Sequence, residues 1–290
     1  MQVADLHTVP EGAYNIRENG AAAGRKTTAN IDIVSKTDKP GMEIIGKPGT
    51  KRESIHIPVI ISESGLKDLV YNDFYIGEDA DVTIIAGCGI HNCGDQDSAH
   101  DGIHSFHVGK GARVRYVERH YGEEEGTGEN IMNPTTIIEI DEGGYLEMET
   151  TQIKGIDSTI RNTNAVLGKD ATLIVKEKIM THGRQHAETV FNVDLNGERS
   201  STNVISRSVA KDVSTQTFLS KINGNAECYG HTECDAIIMD NASVRAIPEI
   251  TANDINASLI HEAAIGKIAG EQIIKLMTLG LTEQEAEEQI

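Results

Sequence analysis

The sequence predicts a mainly β chain, a parallel β-helix closed by a small C-terminal α-helical subdomain. Three observations point there. Helical periodicity is nearly missing between residues 30 and 250, where short β-branched runs are punctuated by Gly, Asp and Asn. A turn of one form, a Gly- or Asp-bearing corner followed by a small residue and alternating apolar positions, returns along that region. After about residue 262 the apolar spacing becomes helical.

Residues 1–30 form an N-terminal segment with weak patterning, and irregular structure is expected there, above all in its first 20 or so residues. The β-helix core is expected over residues 31–255. Its turns are Ile76-Gly77-Glu78-Asp79-Ala80, Val108-Gly109-Lys110-Gly111-Ala112, Ile140-Asp141-Glu142-Gly143-Gly144 and Leu167-Gly168-Lys169-Asp170-Ala171, with Met239-Asp240-Asn241-Ala242 closing the series. The first apolar residues after the small ones are Val82, Val114, Leu146 and Leu173, at offsets of 32, 32 and 27. A recurrence of this size marks repeated units that stack on a shared core. A β-sandwich also has short strands and Gly-rich turns, but it does not call for the same turn to return. The acidic stretch Gly122-Glu123-Glu124-Glu125-Gly126 is a candidate for local disorder.

Residues 256–290 form the expected helical subdomain. Gly270 to Gly280 carries apolar residues at helical spacing with a Gly stop, and Thr282 with Glu285 makes a capping-box pair for a second short helix.

Composition narrows the function. The 290 residues carry a net charge of −19, with 45 acidic against 26 basic residues, which argues against nucleic acid or an anionic membrane as main partner. No stretch approaches the ~18 apolar residues of a membrane span, and Met1-Gln2-Val3-Ala4-Asp5 lacks signal-peptide character. Four cysteines in a chain without an export signal read as thiols or metal ligands in a reducing cytoplasm. Trp is absent and aromatics are 4%, so the core must be built from Ile, Val, Leu and Ala.

Two islands near the end carry metal-capable chemistry, Cys234 and the pair His261-Glu262, since thiolate, imidazole and carboxylate all ligate iron or zinc. A second region is rich in the same side chains: Cys88, His91, Cys93, His100, His104 and His107, followed by His120. On neighbouring coils these could converge on a metal. A polar, turn-rich surface that tolerates His, or a buried Cys acting as a small hydrophobe, explains them as well. The chain has no G-x-S-x-G elbow, no G-x-x-x-x-G-K-[ST] phosphate loop and no H-E-x-x-H helix. The expectation is therefore a non-enzyme that binds no nucleotide itself and relies on a partner for any ATP hydrolysis.

The words Cys234-Asp235-Ala236-Ile237-Ile238, Ala246-Ile247-Pro248-Glu249-Ile250, His261-Glu262-Ala263-Ala264-Ile265-Gly266-Lys267-Ile268 and Glu271-Gln272-Ile273, with Gly280 to Ala286, resemble the SufB/SufD family. These are scaffold subunits of the SUF iron–sulfur cluster assembly machinery. Weaker similarity reaches back to about residue 50. The resemblance implies a right-handed parallel β-helix, pairing through the β-helices, and a SufC-like ABC-type ATPase docked on the C-terminal helices. It also implies a transient iron–sulfur cluster at the subunit interface, passed on to apo-proteins or carriers. Cys234 stands where SufB-type members carry the cluster cysteine, His261 where SufD-type members offer a histidine, and Glu262 where SufB-type members have a glutamate. With both ligand types in one chain, and without the N-terminal helical domain of larger members, a compact homodimer is expected. Thiolate holds such clusters, while His or carboxylate ligands ease release. Two rivals stand beside this reading: an ATPase adaptor without its own cluster, and a carbohydrate-active β-helix enzyme, which would need a secretion signal.

Overall fold

The computed structural model describes residues 10–124, 126–267, 277–282 and 285–286. Strands alternate between two sheets and stack as parallel coils in a β-solenoid of about eight turns. In chain order the first half comprises β1 (Ala13–Glu18), β2 (Ala21–Lys26), β3 (Ile31–Ser35), β4 (Gly41–Gly46), β5 (Lys51–Ile61), β6 (Lys67–Ile76), β7 (Asp81–Asn92), β8 (Ser98–Val108), β9 (Arg113–Glu124) and β10 (Asn130–Met132). The second half comprises β11 (Thr135–Ile140), β12 (Tyr145–Lys154), β13 (Ser158–Leu167), β14 (Thr172–Thr181), β15 (His186–Leu195), β16 (Ser200–Ala210), β17 (Thr215–Gly224), β18 (Cys228–Ile238), β19 (Ser243–Ala252) and β20 (Ser258–Lys267).

The first sheet runs β2-β1-β5-β7-β9-β12-β14-β16-β18-β20, and the second runs β3-β4-β6-β8, then β10 with β11, then β13-β15-β17-β19. The antiparallel pairs β1/β2 and β3/β4 finish the N-terminal end. Among the described residues β20 and β19 form the C-terminal edges.

The predicted repeat is the register of the first sheet. Val82 pairs with Val114, Val114 with Leu146 and Leu146 with Leu173, and the column continues through Thr202, Gly230 and Leu259. The four predicted corners each hold one residue with positive φ, in turn Asp79 (55°), Gly111 (64°), Gly143 (67°) and Asp170 (57°). Asp and Gly tolerate that left-handed conformation best. The small residue that follows is buried at Ala80, Ala112 and Ala171, where a larger side chain would not fit beneath the corner.

Four expectations are corrected. The turn at residues 239–242 lies between β18 and β19, at the opposite corner from the other four, because Asp240 (φ 54°) repeats the same turn geometry there. The N-terminal segment contains a hairpin, β1 and β2, whose first strand adds in parallel to β5. The acidic stretch is ordered through Glu124 as the end of β9. The coil also outlasts the boundary set at residue 256, since Ser258–Lys267 pairs in parallel with β18. The predicted helices over 270–280 and 282–290 lie largely outside the described residues. The capping box is formed: Thr282 N donates to Glu285 Oε2 at 2.8 Å, and Glu285 N donates to Thr282 Oγ1 at 3.2 Å.

The lumen has two halves. Near the corners it is apolar, with Ile84, Phe74, Phe106, Ile138 and Leu173 fully buried and the Phe74 and Phe106 rings stacked at 4.5 Å. Further along the strands the inward positions turn polar, and the site residues lie there.

Candidate functional site

In β18 the burial alternates from Cys228 onward, so Gly230, Thr232, Cys234 and Ala236 point inward while His231 and Glu233 point out. Register then decides where the second island faces. Thr232 pairs with His261 and Glu233 with Glu262. His261 therefore shares the inward face with Cys234, two residues beyond Leu259, which packs on the core. Glu262 faces outward, with its Oε2 3.2 Å from His231 Nε2. Of the three predicted ligands, Cys234 and His261 occupy one face and Glu262 the other.

Cys234 is buried, 1% exposed, and belongs to a column of inward residues: Glu118, Thr150, Glu177, Ser206, Cys234 and Ala263 are consecutive register partners. A narrow cavity beneath it is lined by Glu177, Ser206 and Gln216. Burial, with Glu177 and Asp235 nearby, pushes the Cys234 thiol up to about 11. Burial and the proximity of His231 lower His261, so its imidazole is neutral at neutral pH. Its Nδ1 is buried with no hydrogen-bond partner among the described residues. A protonated thiol and a neutral imidazole are both ready to bind a metal, the thiol losing its proton as it does so.

Of the His-rich region, the structure gathers Cys88, His100, His104 and His120 inside the lumen and leaves the others outside. Cys88 on β7 lies beside His100 across the lumen and pairs in register with His120 on the neighbouring strand. His100 Nδ1 lies 3.0 Å from Asp68 Oδ2, and Arg17 Nη2 donates to Asp68 Oδ1 at 2.8 Å. On the other side, Glu118 accepts from Tyr116 Oη and from Arg161 Nη1, both at 2.8 Å. Arg161 Nε lies 3.5 Å from Glu177 Oε1, and Ser206 Oγ donates to Glu177 Oε2 at 2.8 Å. One buried polar chain thus runs from Arg17 past Cys88 to Ser206, the register partner of Cys234. Sequence reasoning missed Asp68, Glu118, Arg161 and Glu177, which look like surface charges until the coil period shows that they point inward.

The two buried thiols differ in kind. Burial alone would raise Cys88, but the charges and hydrogen bonds of His100 and His120 outweigh it and bring the thiol down to about 7. His100 goes the other way, up to about 10, as Cys88 and Asp68 overcome its desolvation. A thiolate beside an imidazolium is a nucleophile, while Cys234 is held as a protonated thiol.

The remaining predicted residues lie elsewhere. His91 Nε2 and Cys93 Sγ are 3.0 Å apart at an exposed corner, with Glu123 beside His91. His107 projects from the outer face of the second sheet, stacked on Tyr75 at 4.8 Å and 3.0 Å from Glu139. The six residues from Cys88 to His107 do not form one ligand set. A group the sequence reading did not identify is formed by His231, Glu233 and Glu262, whose ligand atoms lie within 4.8 Å of one another.

Comparison with known proteins bears on this arrangement. Residues 70–290 match the family described as "SUF system FeS cluster assembly, SufBD core domain". An iron-sulfur cluster assembly SufBD family protein of Methanocaldococcus jannaschii is 32% identical over 252 residues, covering 85% of this chain and 78% of that protein. A SufBD family protein of Archaeoglobus fulgidus is 31% identical over 253 residues, covering 86% of this chain and 66% of the other. The iron-sulfur cluster assembly protein SufB of Bacillus subtilis is 26% identical over 221 residues, which are 74% of this chain and 46% of that protein.

Proposed function

The chain belongs to the SufBD family of the SUF iron–sulfur cluster assembly system, and from that premise we propose that it is a scaffold on which a nascent cluster is built at the C-terminal end of the solenoid. Its role lies in iron–sulfur cluster assembly. The observation that carries the scaffold reading is the position of Cys234, inward on β18, with His261 on the same face of β20, the edge strand among the described residues.

One thiolate and one imidazole do not complete a cluster, whose irons each need a full ligand set. A second copy of the chain, meeting this one at the terminal coil, would double the set by two-fold symmetry. A SufC-like ABC-type ATPase bound to the segment that follows β20 would supply the energy for opening and closing that interface, since the chain has no phosphate loop of its own. Release to apo-proteins is favoured by a ligand set poor in cysteine.

Anaerobic incubation with iron and sulfide tests the reading. The parent protein should take up a chromophoric cluster and Cys234→Ala should not. Equal uptake by both rules out Cys234 as anchor. The deep burial of Cys234 favours one other reading, an ATPase adaptor that carries no cluster. That reading predicts ATPase binding by a parent protein that stays colourless under the same conditions.

A further inference from the structure

We propose that His231, Glu233 and Glu262 form a divalent transition-metal site on the outer face of the terminal coil, separated from Cys234 by the thickness of the first sheet. In the assembly reaction its ion would be Fe(II), and that role rests on the scaffold reading. The binding itself does not.

The geometry starts from register. Glu233 on β18 and Glu262 on β20 are directly opposed in a parallel ladder, with side chains on the same face. Two carboxylates in that relation repel one another. His231 stands on the same face, two residues before Glu233. Its ring is held from behind: Nδ1 lies 2.9 Å from Asn203 Oδ1. An Nδ1–H donated to that oxygen leaves Nε2 as a bare lone pair, and Nε2 faces Glu262 Oε2 at 3.2 Å. Lone pair against lone pair is stable only with a cation between them, either a proton or a metal. A backing hydrogen bond to Nδ1 is also how metal-bound histidines are usually oriented.

The donor set chooses the class of ion. One imidazole and two carboxylates suit Fe(II), Mn(II), Co(II) or Zn(II) better than hard, fully oxygen-ligated ions. Bonds of about 2.0–2.2 Å place tetrahedral or cis donors about 3–3.6 Å apart. The present separations, all within 4.8 Å, therefore close onto an ion with a movement of about 1–2 Å, which rotation of the two glutamate side chains supplies. Arg207 Nη2, 3.5 Å from Glu233 Oε1, is the local competitor, but its side chain is 64% exposed and can swing away. Three protein donors on an open face leave other positions to water, as an exchangeable site requires. The ion would also tie β20, the terminal strand of the sheet among the described residues, to β18.

Anaerobic titration of the tag-free protein with Co(II), a spectroscopic stand-in for Fe(II), tests the site. The expected result is visible ligand-field bands without thiolate-to-metal charge transfer, unchanged in Cys234→Ser and weakened tenfold or more in affinity by His231→Ala and by Glu262→Gln. Glu262 is exposed, so its variant keeps the fold should His231→Ala disturb it. Parent-like binding in Glu262→Gln overturns the proposal. Charge-transfer bands that vanish in Cys234→Ser also overturn it, because they would put the ion on the thiol. If the parent protein forms no cluster yet binds Co(II) in this way, the scaffold reading falls and the metal site stands.

Discussion

Arg161 reaches across the lumen to Glu118, its Nη1 2.8 Å from Oε2, with 4% and 5% of the two side chains exposed. It also approaches Glu177, so one guanidinium from the second sheet serves carboxylates on two strands of the first. Removing the cation strands buried charge. Arg161→Met should cost about 3–5 kcal/mol of stability in urea unfolding, and adding Glu118→Gln should restore a large part of it. A loss below about 1 kcal/mol in the single variant would mean that the pair is not sealed from water.

His104 should make the protein acid-sensitive. Burial, with His100, His120 and Arg161 around it, lowers its pKa from 6.5 to about 4 in spite of Glu118. Between those values the unfolded chain binds a proton that the folded chain refuses. Stability then falls as pH drops from 6.5 toward 4, by up to about 1.4 kcal/mol for each pH unit. Unfolding curves across this window should show a shallower slope in His104→Gln. An identical slope would remove His104 as the cause.

The buried thiols should titrate far apart. Thiolate absorbance should appear near pH 7, vanish in Cys88→Ser, and move up toward the ordinary value of 9.0 in His100→Gln. Cys234 should contribute nothing until about pH 11. Brief alkylation at neutral pH, read by mass spectrometry, should label exposed Cys93 before Cys228 or Cys234. Labelling of Cys234 at the rate of Cys93 would show the terminal coil to be open.

The corners should resist side chains that dislike positive φ. Gly143→Val, at φ 67°, should destabilise by about 1–2 kcal/mol, whereas Asp79→Gly, at φ 55°, should be tolerated. Thermal unfolding of both variants checks this, and equal losses would contradict the conformational argument.

Much of the fold was legible locally. A left-handed corner residue, a small residue beneath it and period-two alternation each leave a mark within ten residues of chain, and Val82, Val114, Leu146 and Leu173 do stack in register. The turn at Asp240 reads like the others in sequence because Asp212 and Asp240 adopt the same conformation at their corner as Asp79 and Asp170 do at the other. Cys234, His261 and Glu262 were legible as residues, through the words around them, and not as a site.

Identity, periodicity and turn chemistry are properties of neighbouring residues, so the chain alone carried the coil, its repeat and the family to which it belongs. Facing is a property of register between strands some 29 residues apart, and only the folded coil supplies it. Register turns His261 inward beside Cys234 and sends its neighbour Glu262 outward to His231. It also converts Glu118, Arg161 and Glu177, which read as solvated charges, into a buried ion-paired group inside the lumen.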